Sequence, residues 1–204
     1  MKTKPLLMPI CLSALIYLAG CATLQVAQDT QTGRTALQTG RANDAVVALM
    51  RAADTDPNYN TRYGFGEGVL TYLGRAYYET GRYPEARNVL EKRLANNKDD
   101  SMARLYLGLT LMRSGEPDRG RNEVESGLKG LQAELDHITS TGITGIFWDP
   151  IGMIRSDIRS ALSGNLAAPD LVASAQRIGK QVDQEIDNAR TDIARNNHGV
   201  GSGY

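Results

Sequence analysis

Side chains able to act as nucleophiles, soft metal ligands or proton carriers are few in this chain. Its 204 residues hold two cysteines, Cys11 and Cys21, and two histidines, His137 and His198. Two histidines far apart in sequence nearly exclude a multi-His metal centre. A paired carboxylate, Asp99-Asp100, falls at a boundary between expected helices with no implied pocket. There is no Gly-rich phosphate loop after a strand, no Gly-x-Ser-x-Gly elbow, and no pair of histidines at helical spacing with a glutamate. The chain therefore reads as a non-enzyme with no cofactor and no metal. An enzyme built from Asp, Glu, Ser and Tyr alone is the residual alternative. The 23 basic and 23 acidic residues give a formal net charge of +0, without the concentrated positive face that nucleic acid requires.

The elements around Cys21 explain its place. Met1-Lys2-Thr3-Lys4 is a short positive start, and Leu6 to Leu18 is an apolar run too short to span a bilayer comfortably. The run closes on Leu18-Ala19-Gly20-Cys21, which resembles the lipobox of bacterial lipoproteins. The resemblance implies an exported protein with a signal peptide at 1–20 that is cleaved off, and acyl chains on Cys21 with a short tether at 21–25. Cleavage takes away Lys2, Lys4 and Cys11, leaving 21 basic against 23 acidic residues and no free thiol. Each buried methylene of an acyl chain contributes about 0.8 kcal/mol to anchoring. No aspartate follows Cys21, and by enteric-type sorting this places the protein at the outer membrane, facing the periplasm.

The remainder is helical and repetitive. Tyr72-Leu73-Gly74-Arg75-Ala76-Tyr77 returns as Tyr106-Leu107-Gly108-Leu109-Thr110-Leu111, a shift of 34 residues. The same shift carries Gly81 to Gly115, Ala86 to Gly120 and Leu90 to Val124. The period and residue types resemble the tetratricopeptide repeat, in which small residues let two helices approach while Leu, Tyr and Leu fill the seam. Gly81 and Gly115 stand where a first helix should end in a left-handed cap. An earlier unit is marked by Gly33, Gly40, Ala45, Leu49, Ala52 and Pro57, offset by 41 residues, so a loop insertion is expected near 58–66. The fold class implied is all-α: about three repeats over 26–137, then a C-terminal helical region at 138–196 and a flexible tail at 197–204.

Within that C-terminal region, Asp149-Pro150 reads as a helix start, with Ile151, Ile154, Ile158 and Leu162 as the apolar stripe. A last helix is expected over about 169–195, with Leu171, Ala175, Ile178, Val182, Ile186, Ala189 and Ile193 on one face. Its charges, among them Lys180, Asp183, Glu185, Asp187 and Arg190, read as a solvated face. Its three-to-four spacing would also suit pairing with a second copy, so a homo-oligomer is one expectation. Phe147 and Trp148 are an interface anchor, a lipid contact or core.

In tetratricopeptide arrays the first helices line a groove that receives a peptide or a helix. Carried over by position, that groove is Arg34 and Leu37, then Thr71, Arg75 and Tyr78, then Met102, Leu105, Leu109 and Met112. Either a protein partner or the chain's own C-terminal helices cover this strip. An open groove predicts lost binding, with folding intact, for Arg75→Glu or Leu109→Asp. The carboxylate clamp of chaperone-binding members is absent: its positions hold Thr30, Arg34, Tyr72, Met102 and Tyr106, only one of them basic. The resemblance implies a non-catalytic adaptor with a protein partner at the cell envelope. Pilotins and other assembly factors of secretion, pilus, outer-membrane and polysaccharide-export machines are of this kind.

Overall fold

The computed structural model describes residues 8–61, 65–141, 144–164 and 166–200, with side chains from 22 to 196 within those ranges. Among them the fold is all-α and built of helical repeats. Six helices run in pairs: α1 (Met8–Gln38) with α2 (Ala42–Thr55), α3 (Val69–Glu79) with α4 (Tyr83–Asn96), and α5 (Ser101–Arg113) with α6 (Pro117–Thr141). A short 3-10 turn, Gly145–Phe147, leads to α7 (Met153–Leu162) and α8 (Ala168–Val200).

Each pair closes by the same device. Gly33, Gly74 and Gly108 lie on the first helices, and a methyl there would collide with Leu49, Leu90 and Val124 of the second helices. The missing side chain is what lets each hairpin close to backbone contact. Gly40, Gly81 and Gly115 end the first helices at φ 73, 75 and 88. Only glycine takes this left-handed geometry without strain, so each turn reverses the chain in the same way. The first unit is thus a full repeat despite its irregular offset. Its loop, described over 56–61 and 65–68, folds back through an isolated bridge between Asn60 and Gly68; residues 62–64 lie outside the described residues.

Three local readings need correction. Helix α1 runs unbroken through 22–25, where a tether was expected, and Val26 is already in the core. Helix α7 starts at Met153, not after Asp149, and Pro150 sits in the preceding turn. Asp149 still caps α7, from four residues upstream: its Oδ1 accepts from the Ile154 N–H at 2.9 Å and its Oδ2 from the Arg155 N–H at 3.2 Å. That displaced cap swings Ile151 out of the apolar stripe, to 83% exposure. The third concerns α8. Leu171, Ala175, Ile178, Val182, Ile186 and Ala189 are buried against the chain's own repeats, so the seam for a second copy is already occupied. On the face expected to be solvated, Asp183 is 2% exposed. Residues 201–204 of the expected tail lie outside the described residues, as do the side chains of Cys21 and His198.

Candidate partner-binding groove

The first helices of the three units, α1, α3 and α5, form the concave side of the array, and α8 crosses them in the order α5, α3, α1. A methyl at Gly179 of α8 would meet the Tyr106 hydroxyl of α5 at 3.0 Å and Leu105 Cδ2 at 3.4 Å. One turn on, Asp183 reaches both other helices. Arg75 Nη1 of α3 donates to its Oδ2 at 3.1 Å, and Arg34 Nη2 of α1 donates to its Oδ1 at 3.0 Å. Another turn further, Gln38 of α1 donates to Asp187 at 2.7 Å. Arg75 is also held by Glu79 at 3.0 Å, and the guanidiniums of Arg34 and Arg75 lie over the rings of Tyr72 and Tyr106. Both arginines and Asp183 are buried, so each charge depends on its partners for what water would supply.

The expected groove residues are therefore brought together, but under α8 rather than open. Arg34, Leu37, Arg75, Tyr78, Met102, Leu105 and Leu109 are buried, and Met112 is half-buried beside Val172 at the edge. Thr71 does not face α8: it donates to Asp100 at 2.7 Å and ties α3 to the start of α5. Asp100 caps α5 by accepting from the Ala103 N–H at 2.8 Å, and it pairs with buried Arg93 at 2.7 Å. Of the Asp99-Asp100 pair, Asp100 is thereby structural and Asp99 is exposed. Arg75→Glu and Leu109→Asp should destabilise the fold rather than leave it intact, because both replace buried groups, Arg75 one that binds α8. Phe147 and Trp148 are half-buried, and Trp148 meets Phe65 edge-on with ring centroids 5.6 Å apart. His137 is exposed near the end of α6.

Two further residues carry the site. Asp183 is one; Gly179 was its available signal, since a glycine inside an amphipathic helix marks close packing. The other is Glu67, 1% exposed in the loop before α3, with neither carboxylate oxygen meeting a hydrogen-bond partner among the described residues. Burial pushes its carboxyl up to about 8, and the nearby carboxylates of Asp100 and Asp183 add to this while Arg34 opposes it. Burial likewise raises the Tyr72 hydroxyl well above its ordinary value. Nothing before Glu67 in the sequence signals its burial, because its surroundings are assembled from α1, α5 and α8. No group of three or more His, Cys, Asp or Glu able to hold a metal occurs among the described residues.

Residues 73–133, from within α3 to within α6, match the tetratricopeptide repeat family, a protein-interaction scaffold. The match spans the second and third units; the first unit, outside it, shares their glycine and leucine contacts. No curated protein matches the chain.

Proposed function

We propose that the chain is a lipid-anchored, non-catalytic adaptor of the bacterial cell envelope that holds a protein partner on its repeat array. The groove lined by Arg34, Leu37, Arg75, Tyr78, Met102, Leu105, Leu109 and Met112 is its recognition surface, and its ligand class is an amphipathic helix. One observation carries this reading: the groove already holds such a helix, α8, through an apolar stripe and one acidic side chain between two arginines. A partner helix with an acidic residue in the Asp183 position would meet the same contacts and compete with α8. The tetratricopeptide match supports protein binding in general. Pairing through α8 as a self-assembling structure is disfavoured, because its apolar face is already used.

The anchor reading rests on Leu18-Ala19-Gly20-Cys21 and on where the core begins. Residues 22–25 are exposed and Val26 is the first buried side chain among the described residues, so cleavage before Cys21 removes none of that core. At ~1.5 Å per helical residue, five residues place the core within about 8 Å of the acylated cysteine. A partner must then reach the protein close to the membrane surface, at the outer membrane by the sorting argument.

Affinity capture of the full chain from crosslinked cells, beside Asp183→Ala, tests the groove. Loosening α8 should increase recovery of one partner relative to the unaltered chain. Equal recovery would move the partner to another face of the array. Palmitate incorporation that is lost in Cys21→Ser tests the anchor, and incorporation that persists in that variant would sink it.

A further inference from the structure

The segment between α6 and α7 is built to hold aliphatic side chains out into solvent. Ile146 is 70% exposed, Ile151 83% and Met153 52%, on either side of Trp148. The turn that presents them is fixed. A methyl at Gly145 would collide with the Ile138 carbonyl at 2.5 Å, so the turn packs on the end of α6. Asp149 stands at φ 42, the left-handed region that a non-glycine residue enters at a cost, and its carboxylate accepts from Arg155 Nε at 2.9 Å as well as capping α7. Its N–H donates to Glu185 of α8 at 2.6 Å, and Trp148 rests on Phe65. The turn is thus pinned by the end of α6, by Glu185 of α8 and by Phe65, with its aliphatic groups outward.

Its place in the array says what covers it. Helices α3 and α5 start at one edge, joined there by Thr71 and Asp100, and α6 ends at that edge, where Glu134 accepts from Ser101. Helix α1 enters the core there too, since Val26 shares a hydrophobic cluster with Val69 at the start of α3 and with Tyr59. Phe65, described just before α3, meets Trp148 edge-on and so sets the turn beside this edge. The protruding turn thus shares an edge with the entry of the apolar amino-terminal segment, and with Leu24, 73% exposed just after Cys21. We infer that residues 146–153 are a second membrane contact, with Ile146 and Ile151 inserted among lipid acyl chains and Trp148 at the interface. This rests on the proposed anchor. Around the same edge Asp54 and Asp99 are exposed beside Lys98 and Asp136 is paired with Arg155 at 3.7 Å, a mixed set of charges that suits a zwitterionic surface.

Trp148 is the single tryptophan of the chain and reports on the turn directly. The probe is the full-length acylated protein in phosphatidylcholine vesicles whose acyl chains carry bromine, a fluorescence quencher, with flotation measured on the same sample. The protein should float and Trp148 should lose most of its emission. Ile146→Asp with Ile151→Asp, both at exposed positions, should float equally and keep its emission. Replacing part of the lipid with phosphatidylglycerol should not deepen the quenching. A protein that floats with Trp148 unquenched overturns the contact and leaves the anchor standing. One that stays in the soluble fraction overturns both. If the double variant is quenched as strongly as the unaltered chain, the two isoleucines do not insert and the proposal fails.

Discussion

At the scale of single residues, Asp183 is the side chain on which the proposed exchange of α8 turns. It is the common acceptor of two buried arginines on different helices. Removing it leaves Arg34 paired with Asp187 of α8, but Arg75 only with Glu79 of its own helix. Breaking a buried pair by truncating one partner typically costs about 3–5 kcal/mol. Asp183→Ala should lower unfolding stability toward that range in denaturant titration, whereas Asp192→Ala, further along α8, should change it little. Glu67 sets a pH dependence. Its carboxyl is raised from 4.5 to about 8, and that of Glu134, mainly by burial, to about 7, so the folded chain binds protons that the unfolded chain has released. Stability should therefore fall as pH rises from about 4.5 to about 8, with Glu67 contributing at most about 1.4 kcal/mol per pH unit. Glu67→Gln, which mimics the neutral acid, should flatten the curve between pH 7 and 8 and leave the Glu134 part below it. An unchanged slope would mean that Glu67 is ionised in the fold. Only the nearby Gly179 hints at Asp183, which sits among the charges of an exposed-looking helix face, and nothing local marks Glu67 in its loop.

At the scale of elements, the hairpins were legible because their rule is local. Gly74 and Leu90, and Gly108 and Val124, lie within one unit and recur at a fixed period, so spacing alone pairs them. The first unit was readable by the same signs once its longer loop was allowed. What spacing could not supply was the angle at which α8 meets the array. Rotation about the helix axis decides whether Asp183 faces solvent or the arginines, and that is set by α1, α3 and α5 together. The start of α7 was misplaced for a related reason: Asp149 caps from a left-handed turn, so the helix opens later than Asp-Pro suggests. The hairpin rule is testable. Gly108→Ala would set a methyl 2.5 Å from the Val124 nitrogen and 2.7 Å from the Gly120 carbonyl, both backbone atoms that cannot step aside. It should cost about 1–3 kcal/mol or more, as overpacking does. At Gly40 there is open space and only the positive φ resists, so Gly40→Ala should cost on the order of 1 kcal/mol. Equal effects in thermal unfolding would contradict this account of how the hairpins close.

At the scale of the whole molecule, the chain has two faces with separate tasks. One edge gathers the entry of the apolar amino-terminal segment and the protruding turn at 146–153, and the account sets it against lipid. The face formed by α1, α3 and α5 is covered by the chain's own last helix, and we propose it as the receptor for a partner helix. Among the described residues no helix is long and apolar enough to cross a membrane; the attachment proposed above is through Cys21 and contacts of this edge. The fold class and repeat array could be read from the period; the state of the groove could not, since an open strip and one covered by α8 have the same sequence. The central claim is that a partner helix exchanges with α8. It is tested most directly by a photo-crosslinking side chain at Met112, half-buried where α5 meets Ala168 and Val172 of α8, in cells carrying the full chain. The unaltered chain should crosslink mainly within itself, and the added Asp183→Ala should shift crosslinks to one envelope protein. Crosslinks that remain entirely within the chain after Asp183→Ala would contradict the account and leave α8 a permanent part of the fold.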